Sequence, residues 1–317
     1  MKVVPYEEKY LSGVITCLRR NFDWMGEASE DEVINWITPV LSYRWSAESE
    51  VSTDEYAFKH GAVLLDNDKV VGYFGMIMSR RSINGSSYIC GSPTTWAIDE
   101  GYRFFFYEAL NTILDKDVKW FEYSPRKSVA EALKLLYGFK LIGQKQFRLV
   151  PVPTDNNECE VITVEDISVI EDEIILREYI DHKDLRGIRL AMIASNHSRD
   201  NSFLFYKTFD EDSTRIRILK ISRPEVFANH CSEVIWKLYN NEFYPNSKSY
   251  DVIVKIMDGL YNKEKLCVEC DDFLLNGNML NHPLIKERAV TRLCRPAESE
   301  MTADLLYTES SLLSYRI

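Results

Sequence analysis

Four stretches of this 317-residue chain carry residue types that could do chemistry. The first centres on Arg103, which closes the run Ile98-Asp99-Glu100-Gly101-Tyr102-Arg103 and opens the helix-like segment Phe104-Phe105-Phe106-Tyr107-Glu108. A loop that opens a helix offers unpaired backbone N–H groups at the positive end of the dipole, so an anion could sit there. The second, from Ser42 to His60, mixes Tyr43, Trp45, Glu48, Glu50, Asp54, Glu55 and His60. A carboxylate or His60 could relay a proton there; taken singly, each residue also fits a solvated connector in which Trp45 is packed. The third is Cys267-Val268-Glu269-Cys270, the one CxxC. Its two thiols face opposite ways if the run is a strand, and neither a second CxxC nor a paired His follows, so no metal site is expected. The fourth is His230-Cys231, adjacent helix residues that point about 100° apart and read as packing. Cys90 likewise reads as a small buried residue, since nothing near it in sequence would activate a nucleophile.

The elements that must position these groups can be read from periodicity. Residues 6–22 place Tyr10, Leu11, Val14, Ile15, Leu18 and Phe22 at helical spacing. Ser29-x-x-Glu32 is a capping-box pattern before Val33, Ile34, Trp36 and Ile37, with Pro39 as a kink or end. Ala62 to Leu65 and Lys69 to Met78 form a hairpin across Asp66-Asn67-Asp68, and Gly72 and Gly75 mark a bulge or close backbone approach in the second strand. A turn at Asn84-Gly85 leads to a strand ending in Thr95-Trp96-Ala97-Ile98. Helix-like FFFYEALNTIL, the strand KWFEY, helix-like SVAEALKLLY and Gly138-Phe139-Lys140-Leu141-Ile142-Gly143 follow.

This order of strand, strand, helix, strand, helix, strand resembles the GNAT superfamily of N-acetyltransferases. Ile98 to Arg103 is similar to that family's V-x-P-x-Y/F-R segment, with Glu100 in place of the Pro. Ala130 to Gly138-Phe139 matches, in spacing, its helix ending in Y-x-K-x-G-F. The resemblance covers roughly the first half and implies an acyl-CoA site, with acetyl-CoA or another acyl-CoA as donor. Pantetheine would lie against Trp96, Ala97 and Ile98 where neighbouring strands splay apart. Pyrophosphate would lie against Arg103, Phe104, Phe105, Phe106 and Tyr107. The motif is degenerate, because these bulky residues and Glu108 stand where the family places glycines. The family's proton-donating Tyr falls on Lys134; Tyr137, one residue before Gly138, is the other candidate donor, and both also read as ordinary helix residues. Trp45, Glu55 and His60 become acceptor-side candidates.

Composition narrows the rest. A length of 317 residues favours two domains, and 45% hydrophobic with 12% aromatic residues is enough to bury substantial cores. A net charge of −11 with only short Arg-Arg pairs at 19–20 and 80–81 argues against nucleic acid or a membrane surface as partner. The seven scattered cysteines fit a reducing compartment. MKVVPYEEKYLSGV lacks a continuous apolar core, so neither a signal peptide nor a membrane span is expected and the expected location is cytoplasmic.

PVPTDNNECE after Val150 reads as a linker, dividing the chain into domains 1–150 and 151–317. The second half repeats the plan. Glu165 to Tyr179 reads as a helix, FLFYKTF and RIRILKIS as a hairpin, and Ser222-Arg223-Pro224-Glu225 as a helix start. YDVIVKIMDGLY reads as a helix, and KLCVEC and ERAVTRLCR as later elements. Pro224 removes an N–H donor, so this domain is not expected to bind coenzyme A. The tail LLYTESSLLSYRI is amphipathic enough to dock as a final helix or strand, and the resemblance to tandem members of the family implies that it closes over the acceptor cleft, which adds Tyr307 and Glu309 as acceptor-side candidates. The expected fold class is α/β, an α+β mixed sheet in a tandem GNAT-like acyl-CoA N-acyltransferase fold. The expected function is transfer of an acyl group to a small amine, such as an amino sugar of a surface-polysaccharide pathway. The alternative is a non-catalytic GNAT-like binding or scaffold protein. The oligomeric state is not legible.

Overall fold

The computed structural model describes residues 1–83, 86–122, 125–152, 154–185, 187–196, 201–208, 215–243, 267–271, 275, 279–280 and 285–295. The Asn84-Gly85 and Asp210-Glu211-Asp212 turns, the YDVIVKIMDGLY helix and the tail with Tyr307 and Glu309 lie outside these residues. The chain forms two compact units. The first comprises residues 1–140 with 292–295 returning to it, the second 141–291, so the division falls ahead of Val150. Among the described residues no helix is long and apolar enough to cross a membrane.

The first unit begins with β1 (Lys2–Pro5), a single 3-10 turn at Glu8–Tyr10, α1 (Leu11–Asn21), α2 (Asp23–Glu27) and α3 (Glu30–Ser42). Val14, Ile15, Cys17 and Leu18 form the buried stripe of α1. Gly13 lets that helix lie close on the sheet, because a Cβ there would fall 2.5 Å from Val70 Cγ2. The capping box of α3 is present, with Glu32 N–H donating to Ser29 Oγ at 3.2 Å and Ser29 N–H to Glu32 Oε2 at 2.8 Å. Pro39 does not end this helix, which continues to Ser42. The proline forgoes one hydrogen bond near the helix end, while Val40 beyond it is buried and stabilises the continuation.

β2 (Ala62–Asp66), β3 (Lys69–Ile83) and β4 (Ser86–Ile98) follow as antiparallel neighbours. A 3-10 helix (Glu100–Phe105) then runs directly into α4 (Phe106–Ile113), β5 (Lys119–Glu122) and α5 (Lys127–Tyr137). The sheet order of this unit is β1-β2-β3-β4-β5, and the end of β12 (Ile285–Arg295) pairs antiparallel with β5. Arg295 on that strand donates to the carbonyls of Leu114 and Tyr137, at 3.2 and 3.4 Å. One cation thereby satisfies the C-terminal ends of both α4 and α5.

Two departures from regular pairing shape β4. Phe74 opposes Trp96 and Gly75 opposes Thr94, so Thr95 is an extra residue, held at φ +51°. A left-handed β-branched residue is strained. Gly75 permits the close approach, since a Cβ there would lie 2.7 Å from the Thr94 carbonyl oxygen. On its other side β4 runs parallel to β5, pairing Cys90 with Lys119 and Gly91 with Trp120, and Ser92 Oγ donates to the Phe121 carbonyl at 3.2 Å. Past this point the two strands share no ladder among the described residues.

The second unit has strand order β6-β11-β10-β9-β8-β7, formed by β6 (Lys140–Leu149), β7 (Cys159–Thr163), β8 (Ile188–Ser195), β9 (Ser202–Thr208), β10 (Arg215–Ile221) and β11 (Cys267–Asp271). β7 to β10 are antiparallel, β11 is parallel to β10, and β6 is antiparallel to β11. Both units are mixed sheets flanked by helices, which fits the repeat expected from the sequence. The helix of 165–179 starts later than its apolar pattern suggested, as α6 (Glu173–His182), capped by Asp172. The helix after β10 is broken at His230 into α7 (Pro224–Asn229) and α8 (Cys231–Phe243). The Ser222-x-x-Glu225 spacing does not make a capping box, because Ser222 Oγ instead accepts from Phe203 N–H at 2.7 Å.

Candidate functional site

The divergence of β4 from β5 opens a cleft of about 370 Å³ in the first unit. One wall is Trp96, Ala97 and Ile98 of β4. Asp99 N–H bonds the Val71 carbonyl on β3, so by the alternation of an antiparallel ladder the N–H and C=O groups of Trp96 and Ile98 point to the opposite edge, toward the cleft. A second wall comes from the 3-10 helix and α4, through Arg103, Phe106 and Tyr107. A third is the start of α5, with Arg126, Ser128, Val129 and Ala132, and Asn21 and Phe22 close the end. Phe106 packs against both Phe74 and Trp96, with ring centroids 6.2 and 5.8 Å apart, which fixes α4 against the splayed strand.

The electrostatics of this cleft oppose those of the whole chain. Its described lining carries Arg103 and Arg126 and no carboxylate. Neither guanidinium makes an ion pair among the described residues; Arg126 lies over the Phe22 ring at 5.9 Å. No side chain caps α5, whose 11 residues direct their N-terminal turn at the cleft. Arg103 also borders an adjoining hollow of about 350 Å³ with Arg20, Lys69, Asp99 and Glu100. Asp99 is neutralised there by Arg20, through Nε at 3.1 Å and Nη2 at 2.6 Å, and accepts from Asn21 Nδ2 at 3.0 Å. These bonds tie α1 to the end of β4 and leave Arg103 available to a ligand. Together the arrangement suits a long ligand with a polyanionic end and an amide-bearing stem.

Of the sequence-predicted residues, Trp96, Ala97, Ile98, Arg103, Phe106 and Tyr107 are brought together here. Phe104 and Phe105 are not in the lining. Phe104 is 71% exposed and stacks on Phe105, with centroids 4.3 Å apart. The bulky residues at the glycine positions are accommodated by the 3-10 helix, in which Tyr102 N–H bonds Asp99 O and Phe106 N–H bonds Arg103 O. These N–H groups are used within the turn, so the open N-terminus facing the cleft belongs to α5.

Lys134 is exposed on α5 and outside the lining. Tyr137 Oη donates to the carbonyl of Tyr107 at 3.1 Å, placing it behind a cleft wall, and burial raises its pKa. Trp45, Glu55 and His60 stand apart from the cleft. Trp45 is buried, its Nε1 donating to the Met78 carbonyl at 2.7 Å. Glu55 accepts from Ser52 N–H at 3.0 Å and pairs with Arg80; the Ser52 amide and then the arginine hold its carboxyl below the usual range. His60 packs edge-on against Tyr43 at 4.8 Å, and burial lowers its pKa to about 4. Sequence reasoning missed Asn21, Phe22, Arg126 and the first turn of α5. The Pro125-Arg126 step ahead of a helical pattern was the available signal for the last of these.

Solved structures of GCN5-related N-acetyltransferases share this architecture. That of an enzyme from Anabaena variabilis matches with a TM-score of 0.52 at 10% identity, over 93% of this chain and 72% of its own. A glucosamine N-acetyltransferase region in a fungal multi-domain GH3 beta-N-acetylglucosaminidase matches with a TM-score of 0.50 at 12% identity, over 92% of this chain and 38% of that one. No protein-family model and no curated protein matches the sequence. At these identities the likeness defines the fold, and the chain has the fold of the GCN5-related N-acetyltransferases.

Proposed function

We propose that this protein is an acyl-CoA-dependent N-acyltransferase, with acetyl-CoA the donor and a small amine the acceptor. The observation that carries the reading is the cleft between β4 and α5, which joins unpaired strand-edge groups to the free cations Arg103 and Arg126. Coenzyme A is a match for both features: the pantetheine amides would pair with the Trp96 and Ile98 backbone, and the phosphates would meet the guanidinium groups. The acceptor nitrogen attacks the thioester carbonyl carbon. The C–N bond forms, the C–S bond breaks, the nitrogen loses a proton and the thiolate gains one. Backbone N–H groups at the splayed edge stabilise the oxyanion. Of the two expected donors for the thiolate we favour Tyr137, whose hydroxyl would exchange its bond to the Tyr107 carbonyl for one to the sulfur.

An amino sugar is the acceptor class we favour, consistent with the glucosamine N-acetyltransferase activity attributed to the fungal region of the same fold. The rival reading, a binding module without chemistry, is favoured by one observation: the 3-10 helix uses for itself amides that a glycine loop would offer to pyrophosphate. Release of free thiol from acetyl-CoA, measured across amino sugars and simple amines, tests the proposal. Acceptor-dependent release that falls in Arg126→Ala supports it, whereas no release above background with any amine supports the rival.

A further inference from the structure

The second unit carries a cluster that the acyl-transfer reading does not use. The ligand-capable atoms of Cys159, His230 and Glu233 all lie within 4.8 Å of one another. They come from separate places in the fold. Cys159 begins β7, His230 is the joint between α7 and α8, and Glu233 lies in the first turn of α8. Cys159 and Glu233 are buried. Glu158 adds a fourth group, its Oε2 3.6 Å from His230 Nδ1.

We propose that these four side chains bind one zinc ion that staples β7 to the α7–α8 corner. A thiolate, an imidazole and two carboxylates form a borderline-soft, four-ligand set, the closed coordination of a structural zinc site. Tetrahedral bonds of about 2.0 to 2.3 Å put neighbouring ligand atoms roughly 3.3 to 3.8 Å apart, a contraction that small rotamer changes supply for Cys159, His230 and Glu233, while the exposed Glu158 side chain turns inward from its place beside His230 to complete the set. The carboxylate of Glu233 is already aimed by backbone donors, accepting from Glu158 N–H at 3.2 Å and Cys159 N–H at 3.3 Å. Lys237 Nζ now holds Glu233 Oε1 at 2.6 Å. That ammonium also bonds the Cys159 carbonyl at 2.5 Å and Asn157 Oδ1 at 3.1 Å, so it can release the carboxylate to a metal and remain anchored. With zinc bound, the charges of the ion, one thiolate, two carboxylates and the ammonium sum to zero, which suits a site whose thiol and Glu233 carboxylate are buried.

The test is titration of the chelator-stripped full chain with Co²⁺ as a spectroscopic stand-in for zinc. One equivalent should produce a near-ultraviolet thiolate-to-metal charge-transfer band, zinc should displace the cobalt, and the melting temperature should rise on metal addition. Cys159→Ser should abolish the band and His230→Asn should weaken cobalt binding at least tenfold. Lys237→Met, which leaves every ligand in place, should bind cobalt at least as tightly as the parent. A folded parent chain with no such band at millimolar cobalt, or a band that survives Cys159→Ser, overturns the assignment.

Discussion

The two units share a backbone plan and differ in what their side chains do with it. In each, a central strand loses its parallel neighbour after a short ladder and then accommodates an extra residue, Thr95 in β4 and Leu219 in β10. The first unit follows this with a short 3-10 helix, an exposed Phe104 and two unpaired arginines at an open cleft. The second follows it with Lys220, buried and paired with Glu178 at 2.8 Å, and with α7, which starts on a proline and buries Val226, Phe227 and Ala228. The splay is thus a property of the backbone. Among the described residues after each bulge, those of the first unit border an open cleft, whereas Lys220 of the second is buried in an ion pair.

The largest effect should come from breaking the second unit's buried pair. Lys220→Met strands the Glu178 carboxylate and should cost about 3–5 kcal/mol in denaturant unfolding, while Lys220→Met with Glu178→Leu should recover most of it. An unchanged single variant would mean that the pair is solvated. Next is Tyr137→Phe, which should lower kcat about 100-fold with little change in KM for acetyl-CoA. A rise in KM alone would reduce Tyr137 to a support for the Tyr107 wall.

A smaller, pH-dependent effect belongs to His60. Its folded pKa of about 4 lies below the ordinary value near 6.5, so between these values the unfolded chain binds more protons. Stability should therefore be complete above pH 6.5 and fall as pH drops toward 4, and His60→Phe should flatten that slope in urea titrations at pH 7 and pH 5. The same slope in the variant would place the titration elsewhere. Smallest is Thr95→Gly, which removes the strained side chain and should change stability by no more than about 1 kcal/mol. If it also abolishes donor binding, the strained bulge itself holds the splay.

Much of this was legible in the residues. Periodicity marked the strand pair and the helices of the first unit, and Ser29 with Glu32 announced a cap that is formed as written. Gly75 signalled the close approach at the bulge, yet nothing local marks Thr95, because a positive φ there is imposed by pairing with β3 and not by its own preference. Arg103 and the Trp96 to Ile98 wall were legible because they fall in one short segment that resembles a family motif. Arg126 and Phe22 were not, since only the fold brings the start of α5 to the end of α1. Trp45, Glu55 and His60 read as chemistry because polar and aromatic residues cluster there. Their hydrogen bonds and packing show a folded connector outside the cleft, something composition alone cannot report.

The central claim, that the first unit's splay holds an acyl-CoA, is tested most directly by calorimetric titration with acetyl-CoA of the parent chain and of Arg103→Ala. The expected result is micromolar binding to one site, weakened about tenfold or more in the variant, as loss of a charge-assisted contact to phosphate requires. No heat and no thermal shift at millimolar acetyl-CoA would contradict the claim, and binding indifferent to Arg103 would move the ligand away from this cleft.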